Sequence, residues 1–482
     1  MSNSSYKNKE QLFDVSGILN AVRGRFSPNQ ICAYLNMNED ELLKPENYVV
    51  LFHERFHYLE TIFSPYGHLK WSSFRSITAD VIDLWLSLTL DGSTQKKIPI
   101  AEYLNNPKEN DIRILANIWM EDWTYQIFSL FERGQCSEKL QEIFNVKNED
   151  LGPIINPDDN YQIRGIDILE SFAKFQEGIL GQLIGYRDFA ETLDTSKLNR
   201  EYYSALHYFI SKVGGDRISE FPIACELSLT ISHLPTPQDS DSILSFSIGH
   251  RFSVIVDYIC NHPELKDPDI HSNKAFFDYA NTVLIGCGFD DYESHWEFAK
   301  KYMNQADLEL AREMERAIIY KMENPWILSF PFRSPEDFAS PEFNRFYPLF
   351  TITNDSVLYN LNSISPTELV LENHFQALSL QICGRMSNRC IYPNMLQCGF
   401  SYFGTNSCPH QLSGECDGHI DMNSILPTLE CDSCGNVKSG CSLELVLCSY
   451  GTSIKEICIG NVNQRVNMNA IANAAKAIKN IK

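Results

Sequence analysis

Long apolar runs are missing from this chain. The opening residues, MSNSSYKNKEQLFD, contain no hydrophobic core of a secretory leader, so none is expected. No uninterrupted apolar stretch reaches the roughly 20 residues needed to span a bilayer. The nearest, Ile243 to Cys260, is broken by His250, Arg251 and Asp257. Positive charge is also scarce: 40 Lys and Arg against 62 Asp and Glu leave a formal net charge of -22. No basic stripe of the kind that follows a phosphate backbone is present, which argues against nucleic acid and anionic membrane as partners. Internal repeats and low-complexity tracts are absent. Cysteine is sparse over most of the length: Cys32, Cys136, Cys225, Cys260 and Cys287 are all that precede residue 383, although the chain holds 15. The expectation is a soluble, cytoplasmic protein whose thiols are reduced, so clustered cysteines suggest metal before disulfides.

Against those absences, 482 residues and a hydrophobic fraction of 44% provide for a substantial core and two or three domains. Apolar residues spaced by three and four predict helices at about 74–90, 111–132, 166–193, 200–213, 246–260, 273–285 and 304–322. A further helix opens at Pro45-Glu46, where a proline costs no intrahelical bond and an acid suits the dipole, and ends at Ser64-Pro65-Tyr66-Gly67. Residues 1 to about 40 read as a polar lead-in with a short helical piece, and 232–242 as a loop. Residues 324–348 hold prolines 325, 331, 335, 341 and 348, a long irregular segment suited to a lid or an interdomain connection. The shift to cysteine-rich composition sets the domain division: 1–350 and a small α/β module over 351–482.

The helix from Pro45 carries His53-Glu54-Arg55-Phe56-His57, an HExxH motif. Histidines four apart share one helix face and can hold one zinc ion through two ring nitrogens. The glutamate between them then lies beside the metal-bound water as general base. Val49, Val50, Leu51, Phe52, Phe56, Tyr58 and Leu59 surround the motif as a buried helix requires. Arg55 stands where zinc peptidases usually place an uncharged residue; it could face solvent, contact substrate or mark a lost activity.

A catalytic zinc needs a third protein ligand and an open position. Glu60 would stack one turn along the same helix, a poor place for it. Glu170, an acid inside the apolar run GIDILESFA, needs a partner if buried. Two alternatives stay open: Asp167 and Glu170 are spaced as a capping box, and Glu177, seven residues on, shares the face of Glu170. For the oxyanion of a tetrahedral intermediate, Tyr66, His68, His207, His250 and Arg251 are all candidates.

The pair HERFHYLETIFSPYG and ILESFAKFQEG resembles the gluzincin class of HExxH zinc metallopeptidases, and more narrowly bacterial proteins with an HExxH helix followed by an E-x-x-A helix. YYSALHYFISKV and FPIACELSLTISH are similar to the helices that follow there. The resemblance spans roughly residues 45–235. It implies His53, His57 and Glu170 as zinc ligands, Glu54 as base and Ala173 as the end of the motif. Glu60 replaces the glutamine expected in that pattern, and the interval from His57 to Glu170 is long for better-known gluzincins. The implied fold is mainly α, with a helical zincin-like catalytic domain ahead of the cysteine-rich module. The implied activity is hydrolysis of a protein or peptide by Glu-assisted attack of zinc-bound water.

In the tail, Cys431-Asp432-Ser433-Cys434-Gly435 is a C-x-x-C knuckle. With Cys408 and Cys416 it makes a candidate tetrahedral Cys₄ zinc site, for which His410 or Cys441 could substitute. One catalytic and one structural zinc are therefore expected. Two rivals are weighed. Glu54-x-x-His57 is also half of a di-iron carboxylate site, but the chain lacks a second E-x-x-H. A non-catalytic interaction protein with a zinc-stabilised tail and a degenerate HExxH site would account for Arg55.

Overall fold

The computed structural model describes residues 23–27, 32–73, 76, 128, 132, 146–156, 161–192, 199–231, 244–265, 268–303, 309–333, 340–348, 350–354 and 357–359. The expected helix at 74–90, most of that at 111–132, the 232–242 loop and all of Cys408, Cys416, Cys431 and Cys434 lie outside them. The described residues are mainly helical with little strand. Among them, no helix is long and apolar enough to cross a membrane.

Helix α1 (Pro45–Ile62) occupies the centre. Proline begins it, Glu46 sits in its first turn, and from Val49 onward nearly every side chain is buried, polar ones included. Such a helix needs partners on every flank. Strands β1 (Gly24–Ser27) and β2 (Cys32–Leu35) cover one. The chain bends at 63–64 and runs on as α2 (65–73). After the small hairpin β3 (Ile154–Asn156) and β4 (Tyr161–Gln162), α3 (Gly165–Leu183) packs along a second flank of α1, Phe172 meeting Phe56 edge-on at 4.8 Å. A helical layer completes the core: α4 (Ser204–Val213), α5 (Phe221–Ser228), α6 (Ile248–Asn261), α7 (Asn273–Gly286), α8 (Tyr292–Met303) and α9 (Glu309–Glu323). β5 (Phe350–Ile352) and β6 (Val357–Tyr359) then return to the first sheet, whose order is β1-β2-β5-β6. β2 and β5 run parallel, with Cys32 opposite Phe350 and Ala33 opposite Thr351; the other two pairs are antiparallel.

Several expectations change. Gly24–Ser27 and Cys32–Leu35 form strands rather than a lead-in; each is only four residues long, and besides β1 the partner of β2 lies more than 300 positions away and leaves no local trace. The 166–193 helix breaks after Leu183, where Gly185 takes a left-handed φ of 69°. The 304–322 helix corresponds to α9, FPIACELS forms α5 within the segment the resemblance gave as helical, and α8 was not anticipated. The proline-rich segment is no free cover in its described parts: Trp326, Leu328, Phe343 and Phe346 are buried, and Gln176 Nε2 donates to the Ser329 carbonyl at 2.8 Å. The 350/351 division falls inside β5, which is hydrogen-bonded to the N-terminal sheet.

Two buried histidines make the core acid-sensitive. His68 donates from Nε2 to the Ile62 carbonyl at 2.5 Å, and burial pushes it down to about 4. Burial, with Arg251 nearby, pushes His295 down to about 3. Both are neutral when folded, whereas an unfolded histidine titrates near ~6.5. Below that pH the unfolded chain binds protons the folded one refuses, so stability is lost as pH falls from about 6.5 toward 4. At about 1.4 kcal/mol per unit, each costs a few kcal/mol at the bottom of that window. Denaturant unfolding at a series of pH values should show this loss, with a shallower slope in His68→Gln; an unchanged slope would contradict it.

Candidate metal centre

The site lies where α1 faces α3. Arg164 caps α3: its backbone N–H and its guanidinium both donate to Asp167, at 2.7 Å to Oδ2 and 2.7 Å to Oδ1 respectively, and the Tyr161 hydroxyl donates to Asp167 Oδ1 at 2.9 Å. Asp167 is therefore the capping acid, which leaves Glu170, one turn on, to face the histidines.

His53 and His57 turn their Nε2 atoms to one point. These lie 3.2 Å apart, and Glu170 Oε2 is 3.2 Å from the first and 3.4 Å from the second. The three residues offer ligand atoms all within 4.8 Å of one another, a set that could hold a metal ion. Behind each ring stands a carboxylate. His57 Nδ1–H donates to Glu60 Oε2 at 2.7 Å. His53 Nδ1 lies 3.2 Å from Glu177 Oε2, within ion-pair distance though not aligned as a hydrogen bond. Glu177 Oε1 in turn accepts from Lys174 Nζ at 2.6 Å. A carboxylate at Nδ1 holds the proton there and leaves the Nε2 lone pair free for a cation. Glu60 and Glu177 thus stand on the far side of the rings from the convergence point. Glu177 does not displace Glu170 from it, and the pair does not build the bridged carboxylates of a di-iron centre.

Charge makes the same demand. Glu54, Glu60, Glu170 and Glu177 crowd two imidazoles, with Lys174 as the nearby ammonium among the described residues. Burial opposes charge on His53, yet the hydrogen bond to Glu170 and the close Glu177 carboxylate more than offset it and raise the ring to about 9. Burial likewise opposes charge on Glu170, and the two histidines overcome it, holding that carboxyl well below the usual range. Glu54 and Glu60 go the other way, each lifted by burial to about 7 despite the histidines. Two imidazole nitrogens and a carboxylate oxygen, backed by acceptors and short of positive charge, fit a divalent ion.

Glu54 is buried against β1. A Cβ on Gly24 would come within 2.5 Å of Glu54 Oε1 and 2.8 Å of its Cγ, so only glycine leaves the carboxylate its place. Arg55 points away from the centre, toward the carbonyls of Phe343 and Phe346, so it does not face solvent.

Four of the five oxyanion candidates are engaged elsewhere. Tyr66 donates to Glu132 at 2.9 Å, His68 is committed to Ile62, His250 pairs with the Asp150 carbonyl, and Arg251 reaches Thr230 at 2.7 Å. His207 is exposed beside Tyr203. The residue that does reach the site is Tyr202, on a helical turn (Arg200–Tyr202) packed against α3, its ring edge-on to His53 at 5.9 Å. Among the described residues its hydroxyl has no hydrogen-bond partner. Burial and then the nearby Glu170 and Glu201 raise its pKa, so it stays a neutral donor. No linear pattern ties Tyr202, Gly24 or Lys174 to the motif; only packing does. Compared with known protein families, curated proteins and solved structures, the chain matches none.

The ligand and supporting roles separate by substitution. His53→Ala or Glu170→Ala should lower bound metal by about one per chain, whereas Glu177→Ala should keep the stoichiometry and weaken affinity by about 10- to 100-fold. Metal counting after equilibrium dialysis decides; full occupancy in Glu170→Ala with loss in Glu177→Ala would exchange their assignments.

Proposed function

We propose that this chain is a zinc-dependent metallopeptidase of helical, zincin-like build that hydrolyses a peptide bond in a protein or peptide. The observation that carries it is the meeting of His53 Nε2, His57 Nε2 and Glu170 Oε2 with Glu54 one residue from the first. Mixed imidazole and carboxylate donors suit zinc, and three protein ligands leave a position open. The gluzincin resemblance points the same way. A bound zinc would act as a Lewis acid on water and on the scissile carbonyl.

The protein's own groups supply the rest. His53, His57 and Glu170 hold the ion, with Glu60 and Glu177 fixing the two rings. Glu54 accepts a proton from the attacking water and returns it to the leaving amine; a carboxyl lifted by burial to about 7 is matched to that exchange. Gly24 keeps the carboxylate in place. Tyr202 is assigned as donor to the developing oxyanion. For the tail we keep a separate structural zinc on Cys408, Cys416, Cys431 and Cys434. The full chain should then hold two zinc ions, and Cys431→Ser with Cys434→Ser only one.

Glu54→Gln should preserve zinc content and lower turnover by about 10² to 10⁴. Gly24→Ala should do the same in kind, by displacing the carboxylate. Tyr202→Phe should cost roughly 10² or more in turnover with zinc unchanged. The assay is cleavage of a proteome-derived peptide mixture read by mass spectrometry at equal zinc occupancy. Equal activity of wild type and Glu54→Gln would end the peptidase reading.

A further inference from the structure

Arg55 sits between His53 and His57 in sequence, yet at about 100° per residue it lies roughly 200° from each, on the opposite flank of α1. It is 1% exposed there. Its Nε donates to the Phe346 carbonyl at 3.1 Å and its Nη2 to the Phe343 carbonyl at 2.9 Å. The guanidinium also stacks 3.8 Å from the Tyr347 ring centre and 4.4 Å from that of Phe343. Tyr48, seven residues earlier and so on the same face, meets Tyr347 as well.

The stretch that receives Arg55 is itself fixed. Ser340 caps the turn Pro341–Asn344; Phe346 packs on Phe63 at 5.0 Å, just past α1, and on Tyr320 of α9 at 5.1 Å. The chain then enters β5, which pairs with β2, and β2 carries β1 with Gly24 against Glu54. Residues 340–352 therefore hold the metal-bearing helix from behind and hold the sheet that touches its glutamate.

An apolar side chain at position 55 would gain burial without direction. A buried guanidinium fork costs desolvation and, through two carbonyl acceptors and two rings, specifies how α1 is rotated and how far along its axis it sits. A small rotation of α1 would move both imidazoles away from Glu170, whose carboxylate is fixed on a different helix. We infer that Arg55 is a positioning residue: through it the docked segment 340–348 sets the geometry in which His53 and His57 meet Glu170. Ion binding and docking of that segment are then coupled, and the coupling is reciprocal. The inference needs only that the histidine–glutamate set binds a divalent ion, not that the chain cleaves peptides.

The test is Co²⁺ titration of the full chain, followed by visible d–d absorption. Cysteine-bound cobalt is separated by its sulfur-to-metal charge-transfer band. Arg55→Lys keeps the charge without the fork, Arg55→Met keeps the stem, and Tyr347→Ala removes the ring from the segment's side. Each variant, shown folded by far-UV circular dichroism, should bind Co²⁺ at this site about 2- to 30-fold more weakly. Arg55→Met with Tyr347→Ala should be no weaker than the weaker single variant, because both break one connection. Co²⁺ should also slow amide hydrogen exchange in peptides covering 340–348 of the wild type, and not in Arg55→Met. Wild-type Co²⁺ affinity in the folded variants, losses that simply add, or exchange at 340–348 indifferent to metal would overturn the inference. Should Arg55→Met fail to fold, Arg55→Lys and Tyr347→Ala decide the matter alone. A wild type that takes up no Co²⁺ at the histidines would instead sink the metal-site reading, a result distinct from any of these.

Discussion

Four glutamates pressed around two imidazoles between α1 and α3 are the constraint on which the rest of the molecule turns. Buried carboxylates repel one another and demand partners. Glu60 and Glu177 find theirs at the outer nitrogens of His57 and His53, and Lys174 supports Glu177. Glu170 and the two Nε2 atoms remain, aimed at a common point that could hold a divalent ion. Glu54 stays partly protonated near neutrality because burial disfavours its charge. One helix pair thus places Glu60 and Glu177 behind the rings, Glu170 at the point the rings share, and Glu54 beside them against β1.

This explains why α1 is enclosed on every flank. A helix whose polar residues must be buried cannot rely on a single apolar stripe. Its histidine face needs α3, its Glu54 flank needs the glycine of β1, and its back needs the carbonyls offered by 340–348. These partners come from both ends of the described chain, joined by the parallel β2–β5 pairing. The N-terminal strands, the central helix pair and the return after α9 therefore form one support for the site.

Much of the site was legible in the sequence because its core is local. The spacing of His53 and His57, the glutamate between them and the proline that opens their helix are all read within one helical element. Glu170 was legible as an acid where only apolar residues belong. The supporting groups were not, for physical reasons. Glu177 reads as a rival ligand until the rings show which nitrogen it faces. Glu60 reads as misplaced until it appears behind His57. Gly24, Tyr202 and the acceptors of Arg55 are set by tertiary packing, which carries no periodicity. The strands Gly24–Ser27 and Cys32–Leu35 escaped because each is only four residues long, and the second partner of β2 lies more than 300 positions away. The cysteine-rich stretch lies outside the described residues, so only its sequence speaks for it.

The central claim is that one ion sits between α1 and α3 on these three side chains. Zinc-edge anomalous diffraction from crystals of the full chain tests it most directly. A peak about 2.0–2.2 Å from His53 Nε2, His57 Nε2 and a Glu170 oxygen, with Glu60 and Glu177 left at the outer nitrogens, is the expected result. No peak there in zinc-equilibrated crystals, or a peak ligated by Glu60 or Glu177 instead, would contradict it.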